Sequence, residues 1–293
     1  MINDFFELIR IKSWVKNGFI FIPLFFSLNL FNFNLIWKDI VAFSSFSLGC
    51  SFIYVINDLV DCERDKHHPR KINRALPSGR ISKKVAFFSS ILLLTISISL
   101  SFIFKLSLFY LYALISYLVL NLSYSLYLKR VNIIEMICIS FNFVLRVFAG
   151  CFVISVNPSK WIIVVTFFLS LFLILIKRKS EILLLSENAY EHREVLKNYS
   201  KELLDKLIFI SATIILMAYS LYTMDEFVIK SLGTDYLFYT TLFVIIGVFR
   251  FIQLSENNEY LGEGDPTILL YKDRFTQLNL IAWFFSLLIL VYV

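Results

Sequence analysis

Long stretches without a charged residue are the feature that most constrains the fold of this chain. Six windows of 18 to 23 residues contain no Asp, Glu, Lys or Arg, and an α-helix needs about 20 apolar residues to cross a bilayer. Three weaker windows are also apolar, although Arg146 interrupts the first of them. The sequence therefore predicts nine transmembrane helices, six in the clear windows 17–37, 40–57, 85–104, 106–128, 207–224 and 275–293, and three in the weaker windows 135–154, 161–176 and 236–249.

The composition supports a membrane protein. Apolar residues make up 58% of the 293 residues and charged residues only 17%, whereas soluble domains carry about 25% charged residues. Lipid accepts helices or closed barrels, and no alternation at the strand period is visible. We therefore expect an all-α integral membrane protein, a bundle of nine transmembrane helices that forms one domain over 1–293.

The residues before the first window predict a short helix at the membrane surface. Ile2, Phe5, Phe6 and Ile9 recur at helical spacing, with basic residues close by. A frayed terminus is the alternative. The first window is also too long for a cleavable signal sequence, and no small-residue cleavage site follows it.

The distribution of the 28 Lys and Arg residues predicts the orientation. Twenty-three of them fall on the side of the N-terminus and four on the other side, while Arg146 lies inside a window. Cytoplasmic connections of membrane proteins are rich in Lys and Arg. We therefore expect a multi-pass protein of the inner or plasma membrane with a cytoplasmic N-terminus and an outside C-terminus. The net charge of +6 then reflects topology and contacts with membrane lipid, and no nucleic-acid partner is expected.

Two predicted cytoplasmic loops are long, 58–84 between the second and third spans and 177–206 between the sixth and seventh. Together they contain 15 of the 28 basic residues. Long loops in compact proteins are often functional, so we expect an active site on the cytoplasmic face.

The second window runs into the sequence N-D-x-x-D-x-x-x-D, formed by Asn57, Asp58, Asp61 and Asp65. At 100° per residue, all four side chains lie within one quarter of a helix surface. Carboxylates so close together repel one another unless a cation lies between them, and Mg²⁺ prefers carboxylate oxygens together with substrate phosphates. The motif therefore predicts a magnesium site for a diphosphate substrate. A solvated helix end, paired with the Arg and Lys that follow, is the alternative.

Basic residues after this motif are candidates for holding phosphates. Lys71 and Arg74 belong to a cluster in the first long loop, although the topology signal alone explains any single member. Arg146 lies about 16 Å into its predicted helix and needs a partner there. That partner is a motif carboxylate, a backbone carbonyl or a lipid phosphate, and a structural ion pair is an equally weighted reading.

A third basic group follows the predicted span 161–176. Lys177 and Glu181 are spaced i, i+4, and Arg178 lies between them. A helix-surface salt bridge is the structural alternative to a phosphate-binding role.

These motifs resemble the UbiA superfamily of intramembrane prenyltransferases, whose first motif is matched in full by the four residues from Asn57 to Asp65. More narrowly, the chain resembles the decaprenyl-phosphate phosphoribosyltransferase branch. The segments that carry this resemblance are Trp14-Val15-Lys16-Asn17, Asp65-x-x-His68-Pro69-x-Lys71, Tyr124-Ser125 to Lys129, Leu145-Arg146-x-x-Ala149-Gly150, Lys177-Arg178-x-x-Glu181, and Gly262-Glu263 with Lys272-Asp273-Arg274.

The resemblance implies that the enzyme moves phosphoribose from 5-phosphoribosyl 1-diphosphate to a polyprenyl phosphate of the decaprenyl type. Mg²⁺ would be held by Asp58, Asp61 and Asp65, and Asn57 would orient the metal or a water molecule. Other residues would bind the substrates. They are Lys71, Arg74, Lys177 and Arg178 for the donor phosphates, Lys16, Lys129 and Arg146 for the lipid head group, and Asn17, Tyr124 and Glu181 elsewhere in the substrate site.

Two alternatives remain. A prenyltransferase of the same fold would instead transfer a polyprenyl group from its diphosphate to an aromatic or other acceptor. The chain departs from ubiquinone-type members in its Arg74-Ala75-Leu76-Pro77 run and in a second acidic motif reduced to Glu181. A transporter is the non-enzymatic alternative, but the acidic residues gather at one membrane face instead of lining a path.

Overall fold

The computed structural model describes residues 2–66, 71–185, 194–256 and 272–293. Throughout these residues the regular elements are helical, which confirms the all-α class. The α-helices are α1 (Ile2–Leu8), α2 (Ile22–Phe26), α3 (Phe33–Asp65), α4 (Lys83–Ile103), α5 (Leu108–Leu126), α6 (Ile134–Val153), α7 (Lys160–Leu185), α8 (Lys201–Met224), α9 (Glu226–Leu232), α10 (Thr241–Glu256) and α11 (Arg274–Tyr292). The 3₁₀ helices are Ile11–Phe21, Lys71–Asn73, Leu128–Arg130, Glu194–Asn198 and Tyr236–Thr240.

Eight helices in the described ranges are long and apolar enough to cross a membrane. They are Phe33–Glu63 within α3, helices α4, α5 and α6, Lys160–Leu183 within α7, α8, the joined helix Tyr236–Glu256, and α11. The predicted number of nine is therefore not confirmed. The short helix predicted at the N-terminus is present as α1.

The first predicted span, 17–37, was wrong as one continuous helix. The chain runs as a 3₁₀ helix to Phe21 and as α2 to Phe26, and it turns before α3 begins at Phe33. Leu28 adopts a left-handed conformation with φ of 60°, and the Asn29 side chain donates to the Ser27 carbonyl at 2.9 Å. The window contains no charge, but its asparagine side chains compete for backbone groups and end the helix.

Both long loops are shorter than predicted, because the helices continue past their first charged residues. Helix α3 extends to Asp65 and α7 extends to Leu185. Asp39, placed between two windows by the sequence, also lies within α3 and is fully buried. Neither of its carboxyl oxygens has a hydrogen-bond partner, which is a costly arrangement for a charged group.

The chain divides into two compact units. The first contains Met1–Leu128 and Asn142–Pro158, and the second contains Lys129–Phe141 and Ser159–Val293, so the division falls within α6. Each unit has its own apolar core. Phe46 and Tyr110 are central in the first unit, and Phe172 and Leu204 in the second. The single domain over 1–293 stays a prediction.

Small and hydroxylated residues join α3 to α4 within the first unit. The Ser45 hydroxyl donates to the Ser97 carbonyl at 2.7 Å, and the Ser97 hydroxyl donates to the Ser45 carbonyl at 2.6 Å. Small residues let helix backbones approach closely in a membrane, where hydrogen bonds add to packing. This seam fixes α3, which carries the acidic motif at its C-terminal end.

The 3₁₀ helix Ile11–Phe21 lies alongside α3 in the opposite direction. The Trp14 indole donates to the Ser51 hydroxyl at 3.0 Å, and the Asn17 amide donates to the Ser47 hydroxyl at 2.8 Å. Three residues of a 3₁₀ helix rise about 6 Å and bring side chains i and i+3 into line. Four residues of an α-helix also rise about 6 Å. The hydrogen bonds of Trp14 and Asn17 therefore meet serines at matching heights along α3.

Gly150 lets the same 3₁₀ helix approach α6. A Cβ atom at this position would lie 2.0 Å from the carbonyl oxygen of Ile20, far inside the closest approach of real atoms. Only a glycine permits this contact between the two backbones.

We predict that Gly150→Ala destabilises the protein by more than about 2 kcal/mol, because the backbones must separate. In an unhindered helix the same change would stabilise by about 1 kcal/mol. Thermal unfolding of the detergent-purified protein measures the effect. Gly18→Ala is the matched control, since a Cβ there meets nothing within 4 Å. Equal stability of the two variants would contradict the close contact.

Candidate active site

The acidic motif occupies the last three turns of α3. Because α3 remains helical to Asp65, the four motif residues share one face, as their spacing predicts. Asp58 is 4% exposed and Asp65 2% exposed, while Asn57 and Asp61 are half-buried. The structure therefore places all four residues on one largely buried surface.

Two arginines neutralise this surface. Arg74 lies between two of the carboxylates, with Nη1 at 3.0 Å from Asp65 Oδ2 and 3.4 Å from Asp58 Oδ1. Arg10, from the turn after α1, also donates to Asp58 Oδ1. Buried carboxylates require such partners, so the positive charge expected between the aspartates is supplied by the chain itself.

A cavity of about 240 Å³ opens beside these ion pairs. It is enclosed by the end of α1, by α3 and by the segment 74–76, and it is lined by Glu7, Leu8, Arg10, Asp58, Arg74, Ala75 and Leu76. Two arginines and two acidic residues thus line one small space, a combination suited to a charged ligand.

Arg80 fastens α1 to the segment that carries Arg74. Its guanidinium pairs with Asp4 and with Glu7, the latter at 2.9 Å, and it also donates to the carbonyl of Asn73. The hydrogen bond with Glu7 raises the pKa of the Arg80 guanidinium. These contacts hold α1 beside the cavity.

Arg146 is 3% exposed and lies deep in the first unit. Its guanidinium donates to the Asn17 side chain and to the Asn142 carbonyl, both at 2.7 Å, and to the Tyr117 hydroxyl at 3.3 Å. The rings of Tyr117 and Phe143 lie 4.9 and 5.1 Å from its Cζ atom. Among the three partners considered from the sequence, the backbone carbonyl is the one found. This arrangement favours a structural role, joining α6 to the 3₁₀ helix.

Other predicted substrate-binding residues are spread over several elements. Lys16 is half-buried on the 3₁₀ helix, Tyr124 is half-buried in the last turn of α5, and Lys129 is half-buried in Leu128–Arg130. Lys71 begins the short 3₁₀ turn before Arg74, and its side chain lies outside the described residues, as do His68, Pro69, Gly262 and Glu263. The roles of these residues stay predictions.

Arg178 is the centre of a buried ion-pair network in the second unit. It is 2% exposed. Its Nε atom donates to Glu135 Oε1 and its Nη2 atom to Glu135 Oε2, both at 2.7 Å. Nη1 donates to Glu181 at 2.6 Å. The neighbouring Lys179 is also buried and pairs with Asp205 at 2.6 Å and with Glu256. Lys177 is half-buried on the same helix.

The sequence of this chain matches a known protein family over most of its length. The family model described as "UbiA prenyltransferase family" matches residues 20–260. The chain belongs to the UbiA prenyltransferase family. Membership confirms the predicted superfamily, and with it a transferase that is an integral, multi-pass membrane protein.

Two curated relatives support the predicted branch of the UbiA family. The decaprenyl-phosphate phosphoribosyltransferase of Corynebacterium glutamicum is 28% identical over 287 residues, covering 97% of this chain and 86% of the relative. The protein of the same name from Mycobacterium tuberculosis is 25% identical over 279 residues, covering 94% and 90%. The resemblance to this branch is therefore confirmed over nearly the whole chain.

A solved UbiA structure shares the fold. The UbiA homologue of Archaeoglobus fulgidus, solved with GPP and Mg²⁺, matches with a TM-score of 0.71 and 18% identity. The match covers 97% of this chain and 99% of that one.

Two residues at this candidate site were not predicted from the sequence. Arg10 was not among the predicted site residues, although it contacts Asp58 directly, and neither was Arg80, which positions α1. The only sequence signal for Arg10 is its place in a basic stretch near the N-terminus, shared by Lys12 and Lys16. Its contact depends on the 3₁₀ helix, which the sequence does not indicate.

The segment Lys272-Asp273-Arg274, one of the family-like motifs, has a structural role at Asp273. This residue caps α11 by accepting from the Thr276 amide at 2.9 Å. The Arg250 guanidinium also donates to both of its carboxylate oxygens, at 2.7 and 3.1 Å. The hydrogen bond from Arg250 holds the pKa of Asp273 well below its usual range.

We predict that Asp273→Asn destabilises the protein by about 1–3 kcal/mol at pH 7, because the ion pair is lost while the cap is kept. A lowered carboxyl pKa stabilises the fold above the unfolded value of about 3.9, and this stabilisation is lost as the pH falls towards the folded value. The difference between the unfolding temperatures of the two proteins should therefore stay constant above about pH 5 and begin to narrow between about pH 4 and pH 3, because the folded carboxyl loses its charge only at still lower pH. A difference that stays constant down to about pH 3 would contradict the ion pair as the cause.

We also predict that Arg178→Met destabilises the protein by about 3–5 kcal/mol, because the buried Glu135 is left without its main partner. The double variant Arg178→Met/Glu135→Gln should recover part of this loss in a double-mutant cycle. Lys206→Met, which removes an exposed charge from the following helix, serves as the control and should change stability little. Additive single effects would show that the two side chains are not coupled.

Proposed function

We propose that this protein transfers phosphoribose from 5-phosphoribosyl 1-diphosphate to a polyprenyl phosphate in the membrane. An oxygen of the lipid phosphate attacks C1 of the ribose, the bond from C1 to the diphosphate oxygen breaks, and diphosphate leaves. The lipid phosphate is already an anion, so it needs no strong base. The observation that carries the proposal is the buried aspartate face with two arginines beside a cavity, in a chain whose near full-length relatives have this activity in their names.

The aspartate face fits magnesium by its chemistry. Asp58, Asp61 and Asp65 offer the hard oxygen ligands that Mg²⁺ prefers, with room for substrate oxygens. In the arrangement described, Arg74 lies between two of them, and no three acidic, His or Cys side chains of the described residues are grouped closely enough to hold a metal. We propose that these aspartates hold Mg²⁺, with Asn57 orienting it, once the arginines release them. Bound there, Mg²⁺ would neutralise the charge of the leaving diphosphate.

The proposed substrate contacts follow the charges of the first unit. Lys71 and Arg74 would bind the phosphates of the donor, and Lys16 and Tyr124 would contact the substrates. An arginine suits phosphate binding because its planar group binds two phosphate oxygens at once. Asn17 is buried and bonded to both Ser47 and Arg146, which favours a structural role for it.

The remaining substrate contacts stay predictions. They concern Lys129 and Arg146 for the lipid phosphate, Lys177 and Arg178 for the donor, and Glu181. Burial and fully engaged hydrogen-bonding groups favour a structural role for Arg146 and Arg178.

Prenyl transfer is the second candidate function, supported by the GPP and Mg²⁺ in the similar Archaeoglobus fulgidus structure. The two reactions share a diphosphate leaving group and differ in the group transferred and in its acceptor. A phosphoribosyl donor carries an additional 5-phosphate, which requires further cations, and the basic residues that follow Asp65 favour it.

For the topology we propose that Ile11–Phe26 supplies a ninth crossing. Eleven residues of 3₁₀ helix rise about 22 Å and five of α-helix about 7.5 Å, which is close to the roughly 30 Å of a hydrocarbon core. Lys12 and Lys16 lie in the first two turns, so their long side chains would extend to the cytoplasmic interface. Phe21 and Phe43 pack at 5.6 Å, so the segment accompanies α3 over much of its length. With nine crossings the two termini would lie on opposite sides of the membrane. The distribution of basic residues then favours a cytoplasmic N-terminus and active site and an outside C-terminus.

The decisive test is a single-turnover assay with the purified protein, Mg²⁺, polyprenyl phosphate and ribose-labelled phosphoribosyl diphosphate. We expect label in the lipid phase with wild type, and at least about a hundredfold slower transfer with Asp61→Ala, in line with the loss of one electrostatic contact to the reacting group. Chelation of Mg²⁺ should also abolish transfer.

Glu63→Ala is the matched control, because it removes a carboxylate from the same helix but from the opposite face, where Glu63 pairs with Lys66 and Lys83. Its rate should equal that of wild type. Absence of labelled lipid from folded wild-type protein would refute phosphoribosyl transfer, and labelled prenyl diphosphate would then test the second candidate.

A further inference from the structure

Arg10 lies at the candidate site, beside Asp58 and the cavity, and is assigned no role by the function proposed above. Its guanidinium donates to Asp58 Oδ1 and stacks over the ring of Tyr54, with Cζ 4.9 Å from the ring centroid. The side chain remains 27% exposed and lines the cavity together with Arg74. It therefore touches a proposed metal ligand and the space beside it at the same time.

The backbone holds Arg10 there against its conformational preference. Its φ of 51° lies in the left-handed region, which is unfavourable for residues other than glycine. The strained position is anchored on both sides, since the Ser51 hydroxyl donates to the Ile9 carbonyl at 2.8 Å and the Ser13 amide donates to the Arg10 carbonyl at 2.8 Å. The structure thus maintains this arginine beside the cavity.

The charges indicate what Arg10 does when the site is filled. Asp58 accepts from two guanidinium groups through one oxygen, Oδ1. A divalent cation on the same carboxylate would repel both arginines and leave two positive groups facing the cavity. Phosphoryl oxygens suit these groups, because the planar guanidinium can bind two of them at once.

We propose that Arg10 is a further substrate-binding residue, which pairs with Asp58 in the metal-free protein and binds phosphoryl oxygens of the donor diphosphate when a divalent cation occupies Asp58. This inference rests on the proposed function. It assigns Arg10 two exclusive partners, so that the cation and the diphosphate bind cooperatively.

Binding measurements test the inference without catalysis. The full-length protein in detergent is titrated with Mn²⁺, followed by electron paramagnetic resonance, and the Mn²⁺-loaded protein is then titrated with inorganic diphosphate. For Arg10→Ala we expect Mn²⁺ alone to bind at least as tightly as in wild type, because a competitor for Asp58 is gone. Diphosphate binding should weaken about tenfold to hundredfold. Arg10→Lys should lie between, since it keeps the charge and loses the planar group.

Lys12→Ala is the matched control, because it removes an exposed positive charge two residues away and should bind both probes like wild type. Unchanged diphosphate binding in Arg10→Ala, while wild type binds both probes, overturns this inference and leaves the proposed function intact. A parallel loss of both probes and of thermal stability in Arg10→Ala assigns the residue a purely structural role and also overturns it. If folded wild-type protein binds neither probe, the proposed function fails together with the inference.

Discussion

Asp58 accepts hydrogen bonds from Arg10 and Arg74, and three segments that are distant in the sequence meet at this carboxylate. Helix α3 carries the aspartate, the turn after α1 carries the first arginine, and the segment before α4 carries the second. Desolvation makes each charge costly alone. The mutual neutralisation therefore holds the acidic end of α3 and its surroundings together, and the cavity exists where these segments converge.

The rest of the first unit brings these charges into register. Ser45 and Ser97 fasten α4 to α3, and the 3₁₀ helix runs antiparallel to α3 with hydrogen bonds from Trp14 and Asn17. Gly150 and Arg146 of α6 then hold that helix from another side. Polar groups within the apolar bundle thus determine where its helices lie along one another, which dispersion forces alone specify weakly.

The sequence was sufficient for the fold class, most of the spans and the acidic face. Their signals are local, since apolar length predicts a span and 3.6-residue spacing places Asn57, Asp58, Asp61 and Asp65 together. The first span was misjudged because it was predicted from the absence of charged residues, and this criterion ignores asparagine side chains that bond to the backbone and end a helix. Arg10 and the pairing of Arg178 with Glu135 could not be predicted, because each depends on which distant segments approach, and such long-range pairing has no periodic signature.

The matched rises of the 3₁₀ helix and α3 have a consequence for the length of this segment. In a 3₁₀ helix one inserted or deleted residue turns every later side chain by about 120° and moves it by about 2 Å. No flexible loop separates Arg10 from Trp14 and Asn17 to absorb such a change. The segment should therefore accept many replacements of single side chains but no change in the number of residues, unlike the connecting loops of most proteins.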